Sequence, residues 1–199
     1  MLRFARLATE VLAPWVWVLT LPLAVAWAAT GHRPLPALAW GLLISVTGSL
    51  IPMAVIVRGA RRGKWDGHHV TNRAGRRVPL LVAGVSLGLG FAVLLAGGAP
   101  AQLVALAASM LASLVVAVAI TFGAKFKISL HAAVAWAAVV VLALTYGPWW
   151  LLLALPAAWV MWSRVALRDH TTPEVLAGLL MGVLVGGGGY WALLLTALT

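Results

Sequence analysis

The run AQLVALAASMLASLVVAVAITF, residues 101–122, carries no charged side chain along its whole length. A bilayer's hydrocarbon core is about 30 Å thick and takes about 20 apolar helical residues to cross. Length alone therefore makes this run a membrane span. Six further apolar runs flank it, at residues 11–30, 35–57, 79–98, 129–146, 148–163 and 174–198. The run 148–163 is short, and Pro156 is placed to kink it. In lipid such runs must be helices, because backbone N–H and C=O groups find no other partners there. The breaks between them carry turn residues: Gly31-His32-Arg33-Pro34, Gly97-Gly98-Ala99-Pro100 and Gly147-Pro148. The expected fold class is all-α, a polytopic membrane bundle of about six to seven transmembrane helices in one domain, residues 1–199.

Composition agrees with this reading. The chain is 63% hydrophobic and 9% charged, against about 25% charged in soluble domains. The absence of cysteine excludes thiolate chemistry. Net charge is +10, and the excess sits in loops between apolar runs, so anionic lipid or a phosphorylated substrate fits better than nucleic acid. Arg3 and Arg6 precede the first run and alanines follow Trp27, as in a signal peptide. At about 20 residues the run exceeds the usual apolar core of a signal, about 7–15 residues, so a retained helix is expected.

If all seven runs span, the amino terminus and the loops 58–78, 123–128 and 164–173 share one side. Thirteen basic residues lie there, and only Arg33 lies opposite. The positive-inside rule makes that side cytoplasmic in a multi-pass cell-membrane protein. Discounting Arg73, Arg76, Arg77 and Arg164 as substrate contacts still leaves nine against one. Gly178, Gly182 and Gly186, like Gly84 and Gly88, recur every fourth residue, a spacing that lets helix backbones approach closely. Such faces permit helix association, within one chain or between copies.

Three helices begin on this side next to polar residues. Pro79 opens one; Ser129 caps another and puts His131 in its first turn; Thr172 caps the last, followed by Pro173 and Glu174. Helix starts present unpaired N–H groups and partial positive charge, which suits phosphate. Arg164 and the arginines before Pro79 add planar forks matched to phosphate oxygens. His131 and His170 titrate near neutrality, so one serves as nucleophile and the other as acid. Glu174, four residues after His170, is spaced to hold one ring nitrogen and leave the other free. No carboxylate cluster is present to hold magnesium, which leaves phosphate charge to arginine and lysine.

Ser163-Arg164-Val-Ala-Leu-Arg-Asp-His170-Thr-Thr-Pro-Glu174 resembles the S-R-x5-H-x3-D/E signature of the type 2 phosphatidic acid phosphatase superfamily, with Glu for the commoner Asp. Ser129-Leu130-His131 is similar to that family's P-S-G-H segment, with Ile128 for Pro and Leu130 for Gly. Arg76-Arg77-Val78-Pro79 is similar to the arginine end of its K-x6-R-P motif. The match runs over roughly residues 60–190 in the family's order, and the last motif is the specific one. It implies a six-helix core over about residues 35–198, with the first helix, 11–30, an addition to it. It also implies a metal-independent phosphatase, without cofactor, acting on a lipid phosphate within membrane lipid. His170 would form a phosphohistidine, Glu174 would orient it, and His131 would protonate the leaving group. Arg164, Ser129, Arg73, Arg76 and Arg77 would bind phosphoryl oxygens, Arg73 (or Lys64) standing in for the family's lysine.

Plainer readings compete. Arg58, Arg61 and Arg62 read as a basic loop against anionic headgroups, and His68-His69 as solvated residues without a third metal ligand. Trp149-Trp150 and Trp162 suit interfacial anchoring. Asp66-Gly67 followed by Arg73 is faintly similar to the opening of a CDP-alcohol phosphotransferase. That chemistry needs several aspartates to bind metal, and the chain has only Asp66 and Asp169. A non-catalytic lipid-phosphate-binding protein with a decayed site is the third class, consistent with Leu130 and the missing lysine.

Overall fold

The computed structural model describes residues 2–64 and 74–198. Among them there is no β-strand. Helix α1 spans Leu2–Val11 and α2 Pro14–Ala29, meeting at a bend of 40°. Then follow α3 (Pro34–Arg61), α4 (Arg77–Ala96), α5 (Ala101–Gly123), α6 (Leu130–Tyr146), α7 (Pro148–Ala166) and α8 (Thr172–Thr196). Five of these (α3, α4, α5, α7 and α8) are long and apolar enough to cross a membrane, and α1 with α2 makes a sixth if the bent pair is one span. The chain is a multi-pass membrane protein.

The first apolar run is not one helix from residue 11. Ala13 is extended, at φ −63° and ψ 150°, because the ring of Pro14 disfavours helical backbone in the residue before it. A separate short helix, α1, precedes that break. The winding also changes just before Pro156. Residues Pro148–Leu153 wind as a tighter 3-10 helix, and the α-helical part starts only at Ala154. Pro156 thus falls in a first turn, where its missing N–H has no helical partner to lose.

Helix α6 is the axis of the bundle. It packs against α2, α7 and α8, and its residues His131, Ala132, Ala133, Ala135, Ala138, Val139, Val141 and Leu142 are buried. Its alanines let neighbours come close, which suits a membrane, where packing rather than water expulsion holds helices together. At Gly182 of α8, an added Cβ would run into the carbonyl oxygen of Ala133, and at Gly178 into that of Ser129. The glycine spacing in α8 therefore marks a real backbone contact. That in α4 does not: Gly88 faces open space, and Gly90 is the residue that meets Thr47 of α3.

Among the described residues, three helices contain π-helical stretches: Val46–Leu50 in α3, Ala119–Gly123 at the end of α5, and Gly182–Gly187 in α8. The first lies just before Pro52, which has no N–H and crowds the carbonyl four residues back. The last falls on the Gly-rich segment that weakens α-helical winding. Around the first of these, hydroxyls of α3 bond carbonyls of α2, and a hydroxyl of α4 bonds a carbonyl of α3. Ser49 Oγ donates to the Trp15 carbonyl at 2.8 Å, Ser45 Oγ to Leu19 at 2.6 Å, and Ser86 Oγ to Thr47 at 2.6 Å.

The close approach at Gly182 gives a stability test. Gly182→Val should cost about 1–3 kcal/mol through overpacking, read as a lower unfolding temperature in detergent. Gly88→Ala should match or slightly exceed the wild type, since its site is open and alanine favours helix.

Candidate functional site

The starts of α4, α6 and α8 converge at one end of the bundle, beside the end of α7. Helix α7 closes with a Schellman turn: Asp169 N–H donates to the Arg164 carbonyl at 3.1 Å, and Arg168 N–H to Val165 at 2.9 Å. Arg168 takes the left-handed position, at φ +59°. The turn swings Asp169 back so that its Oδ2 pairs with Arg164 Nη1 at 3.1 Å. His170 N–H also donates to the Arg164 carbonyl, at 3.1 Å. Lys127 Nζ donates to the Asp169 carbonyl at 2.6 Å, tying this turn to the segment before α6.

Helix α8 is capped by Thr171, one residue earlier than the sequence reading places it. Glu174 is the third helical residue of a capping box, and its Oε2 accepts the Thr171 N–H at 3.0 Å. The same oxygen lies 2.9 Å from His170 Nδ1. A carboxylate only accepts, so Nδ1 carries the hydrogen and Nε2 keeps its lone pair. Arg76 Nη2 stands 3.5 Å from that Nε2, while its Nη1 donates to the Ile128 carbonyl at 2.9 Å. The Ser129 N–H donates to the Glu174 carbonyl at 3.1 Å, so α6 and α8 are joined at the site itself.

Burial is deep for such polar groups: Arg164 is 1% exposed, Arg76 and His170 5%, and His131 6%. Burial first, then the positive charge of Arg76, pushes the His170 imidazole down to about 4; the Glu174 hydrogen bond opposes this, and Lys127 and Arg164 add to it. The ring is therefore neutral near pH 7.

The site opens into the bundle. A cavity of about 270 Å³ has Arg76, His131 and Arg164 as its ionisable lining residues. Its walls are otherwise largely apolar, including Leu21, Leu80, Leu87, Leu106 and Val141. From Pro79 to Leu87, both lining residues, α4 rises about 12 Å. The shape is that of an amphiphile: cationic at one end, hydrocarbon along the rest.

Of the residues expected at the site, the structure gathers His170, Glu174 and Arg76 by direct contact, and Arg76, His131 and Arg164 around one cavity. Ser129 is fully buried and acts as the N-cap of α6, its Oγ 3.5 Å from Ala132 N. Arg77 turns away: it is exposed, with its guanidinium 5.6 Å above the Phe122 ring. Arg73 lies outside the described residues, as do Asp66, His68 and His69. Among the described residues no group of three His, Cys, Asp or Glu is placed to hold a metal. Sequence reasoning missed Asp169 and Thr9, which both contact Arg164. The capping-box pattern Thr171-Thr-Pro-Glu174 was there to be used. No protein-family model, curated protein or solved structure matches this chain.

The burial of neutral His170 has a pH consequence. An unfolded chain binds a proton there near pH 6.5, and the folded one only near 4. Above about 6.5 both are neutral; as pH falls through that window the unfolded state gains a proton the folded state refuses, so stability should drop. Ring ¹⁵N titration should place His170 near 4, with unfolding temperature declining from pH 6.5 to 4. A midpoint near 6.5 contradicts the buried, cation-flanked setting.

Proposed function

We propose that this chain is a metal-independent membrane phosphatase that hydrolyses a lipid-linked phosphate monoester or diphosphate through a phosphohistidine. One observation carries the reading: a neutral histidine, with Nδ1 fixed on Glu174 and Nε2 facing a buried arginine, beside an apolar cavity rimmed by Arg76, His131 and Arg164. The family signature in the sequence points the same way.

In this reading the phosphoryl group sits between Arg76, Arg164 and His170, and the hydrocarbon chain extends into the cavity. His170 Nε2 attacks phosphorus; an N–P bond forms as the P–O bond to the leaving group breaks. His131 gives that oxygen a proton, so the lipid leaves as a neutral alcohol or, from a diphosphate, as a monophosphate protonated at that oxygen. Glu174 accepts from Nδ1–H and stabilises positive charge on the ring as it bonds to phosphorus. Water then attacks the phosphohistidine, His131 takes its proton, and inorganic phosphate leaves. Fixed guanidinium groups in a dry site meet the charge of the transition state without having to reorganise. Thirteen of fourteen basic residues fall on the loop side that holds the site if all seven apolar runs span, a bias that supports a cytoplasmic active-site face.

Phosphate release from a panel of lipid phosphates, by purified protein in detergent and chelator, tests this. His170→Ala should lose about a thousandfold or more, and His131→Ala about a hundredfold to ten-thousandfold. Arg77→Ala should stay near the wild-type rate. Binding without turnover across the panel points instead to a lipid-phosphate-binding protein, and equal rates for wild type and His170→Ala remove the nucleophile. The cavity gives a separate test. Gly48 lines it, and an added Cβ there would lie 3.2 Å from both Met110 and Val18. Gly48→Leu should raise KM for long-chain lipid phosphates and spare short-chain ones.

A further inference from the structure

Helix α1 carries three separate stripes. Ala5, Ala8 and Thr9 are buried, and the helix packs on α7. Phe4, Leu7 and Val11, spaced for one face, are exposed apolar residues. Arg3, Arg6 and Glu10 form the third, polar stripe. A helix that is packed on one side, apolar on the next and charged on the third suits the rim of a bilayer, where both media are available. The site at the end of α7 lies beside it.

Its buried stripe reaches the site through one hydroxyl. Thr9 Oγ1 lies 3.0 Å from Ser163 Oγ, and Arg164 Nη1 donates to Thr9 Oγ1 at 3.5 Å. Proton accounting fixes the direction. Ser163 Oγ spends its hydrogen on the Val160 carbonyl at 2.7 Å, so the hydrogen between the two hydroxyls belongs to Thr9. The chain runs from the Arg164 guanidinium to Thr9, to Ser163, to the backbone of α7. Asp169 holds the same Nη1 at 3.1 Å, and the buried Nε has no hydrogen-bond partner among the described residues. Nη1 is thus committed to protein acceptors, which sets the plane of the guanidinium and leaves its Nε–H toward a ligand.

We propose that Thr9 is a positioning residue: from the rim helix α1 it fixes the Arg164 guanidinium so that the Nε edge meets a phosphoryl oxygen. Ser163, the first residue of the Ser163-Arg164 pair, then serves as the anchor of Thr9. The proposal rests on the phosphatase reading for its substrate, and it deepens that reading by making affinity for phosphate depend on how α1 is seated against α7.

The test uses the full chain in lipid nanodiscs, with Thr9→Val, which keeps the shape, and Thr9→Ser, which keeps the hydroxyl. Inorganic phosphate is the binding probe, with Arg164→Ala as the reference for complete loss. Thr9→Val should raise KM and weaken phosphate binding about tenfold, with kcat and unfolding temperature little changed; Thr9→Ser should restore both constants. A uniform loss of binding, rather than of turnover, is what an oriented ground-state contact predicts. Phosphate binding lost in Arg164→Ala but intact in Thr9→Val overturns this inference alone, as does a fall in kcat at constant KM. A wild type that binds no phosphate overturns the phosphatase reading and this inference together.

Discussion

One carboxylate oxygen holds the site and a helix start at once. Glu174 Oε2 accepts the Thr171 N–H that α8 cannot satisfy internally, and it also meets His170 Nδ1. The imidazole cannot turn over without giving up its bond to an oxygen that the helix cap holds in place. The neighbouring carbonyl of Glu174 takes the Ser129 N–H, so the beginning of α6 is referred to the same residue. Arg76, held on the Ile128 carbonyl just before it, completes a small polar frame built mostly on backbone atoms. The backbone partners in such a frame are already ordered by the helices, so only the side chains of Arg76, His170 and Glu174 have rotamer freedom left to lose.

Beyond the frame, the bundle follows the rule that lipid leaves no backbone group to water. Prolines and π-helical turns disturb the regular ladder, and serines on facing helices add bonds to carbonyls near those places. The same small residues that give these hydroxyls also keep helices near one another. Small side chains between α2, α3 and α4 therefore serve both packing and hydrogen bonding. The space they leave is gathered between helices, where it forms the apolar chamber below the cations.

Much of this was open to reading in the chain. Apolar runs set most helices, because a span's length is a crude and robust constraint. The contact of His170 with Glu174 follows from four-residue spacing at a helix start. The choice between Arg76 and Arg77 does not: adjacent residues at a helix entry point in different directions, and a 3-10 turn over Ala74–Arg76 decides which one enters. Thr9 carried no signal, since its partners lie 154 and 155 residues away. Helix α1 went unseen because Arg3, Arg6 and Glu10 interrupt its apolar stripe, so no continuous hydrophobic run marks it. Leu130, standing where the resembled family has glycine, lines the cavity beside His131 and adds hydrocarbon where a glycine adds none.

The widened turns of α8 have an effect on direction. Before Gly182–Gly187 the helix leans on α6; beyond it, Gly188–Leu198 lies mainly along α5. A π-turn holds one residue more than an α-turn, and each helical residue advances the azimuth by about 100°. The glycine run thus works as a rotary offset between two halves of one rod. What it must preserve is its number of residues: losing one would swing the distal half toward lipid, while exchanging one small residue for another would leave its bearing unchanged.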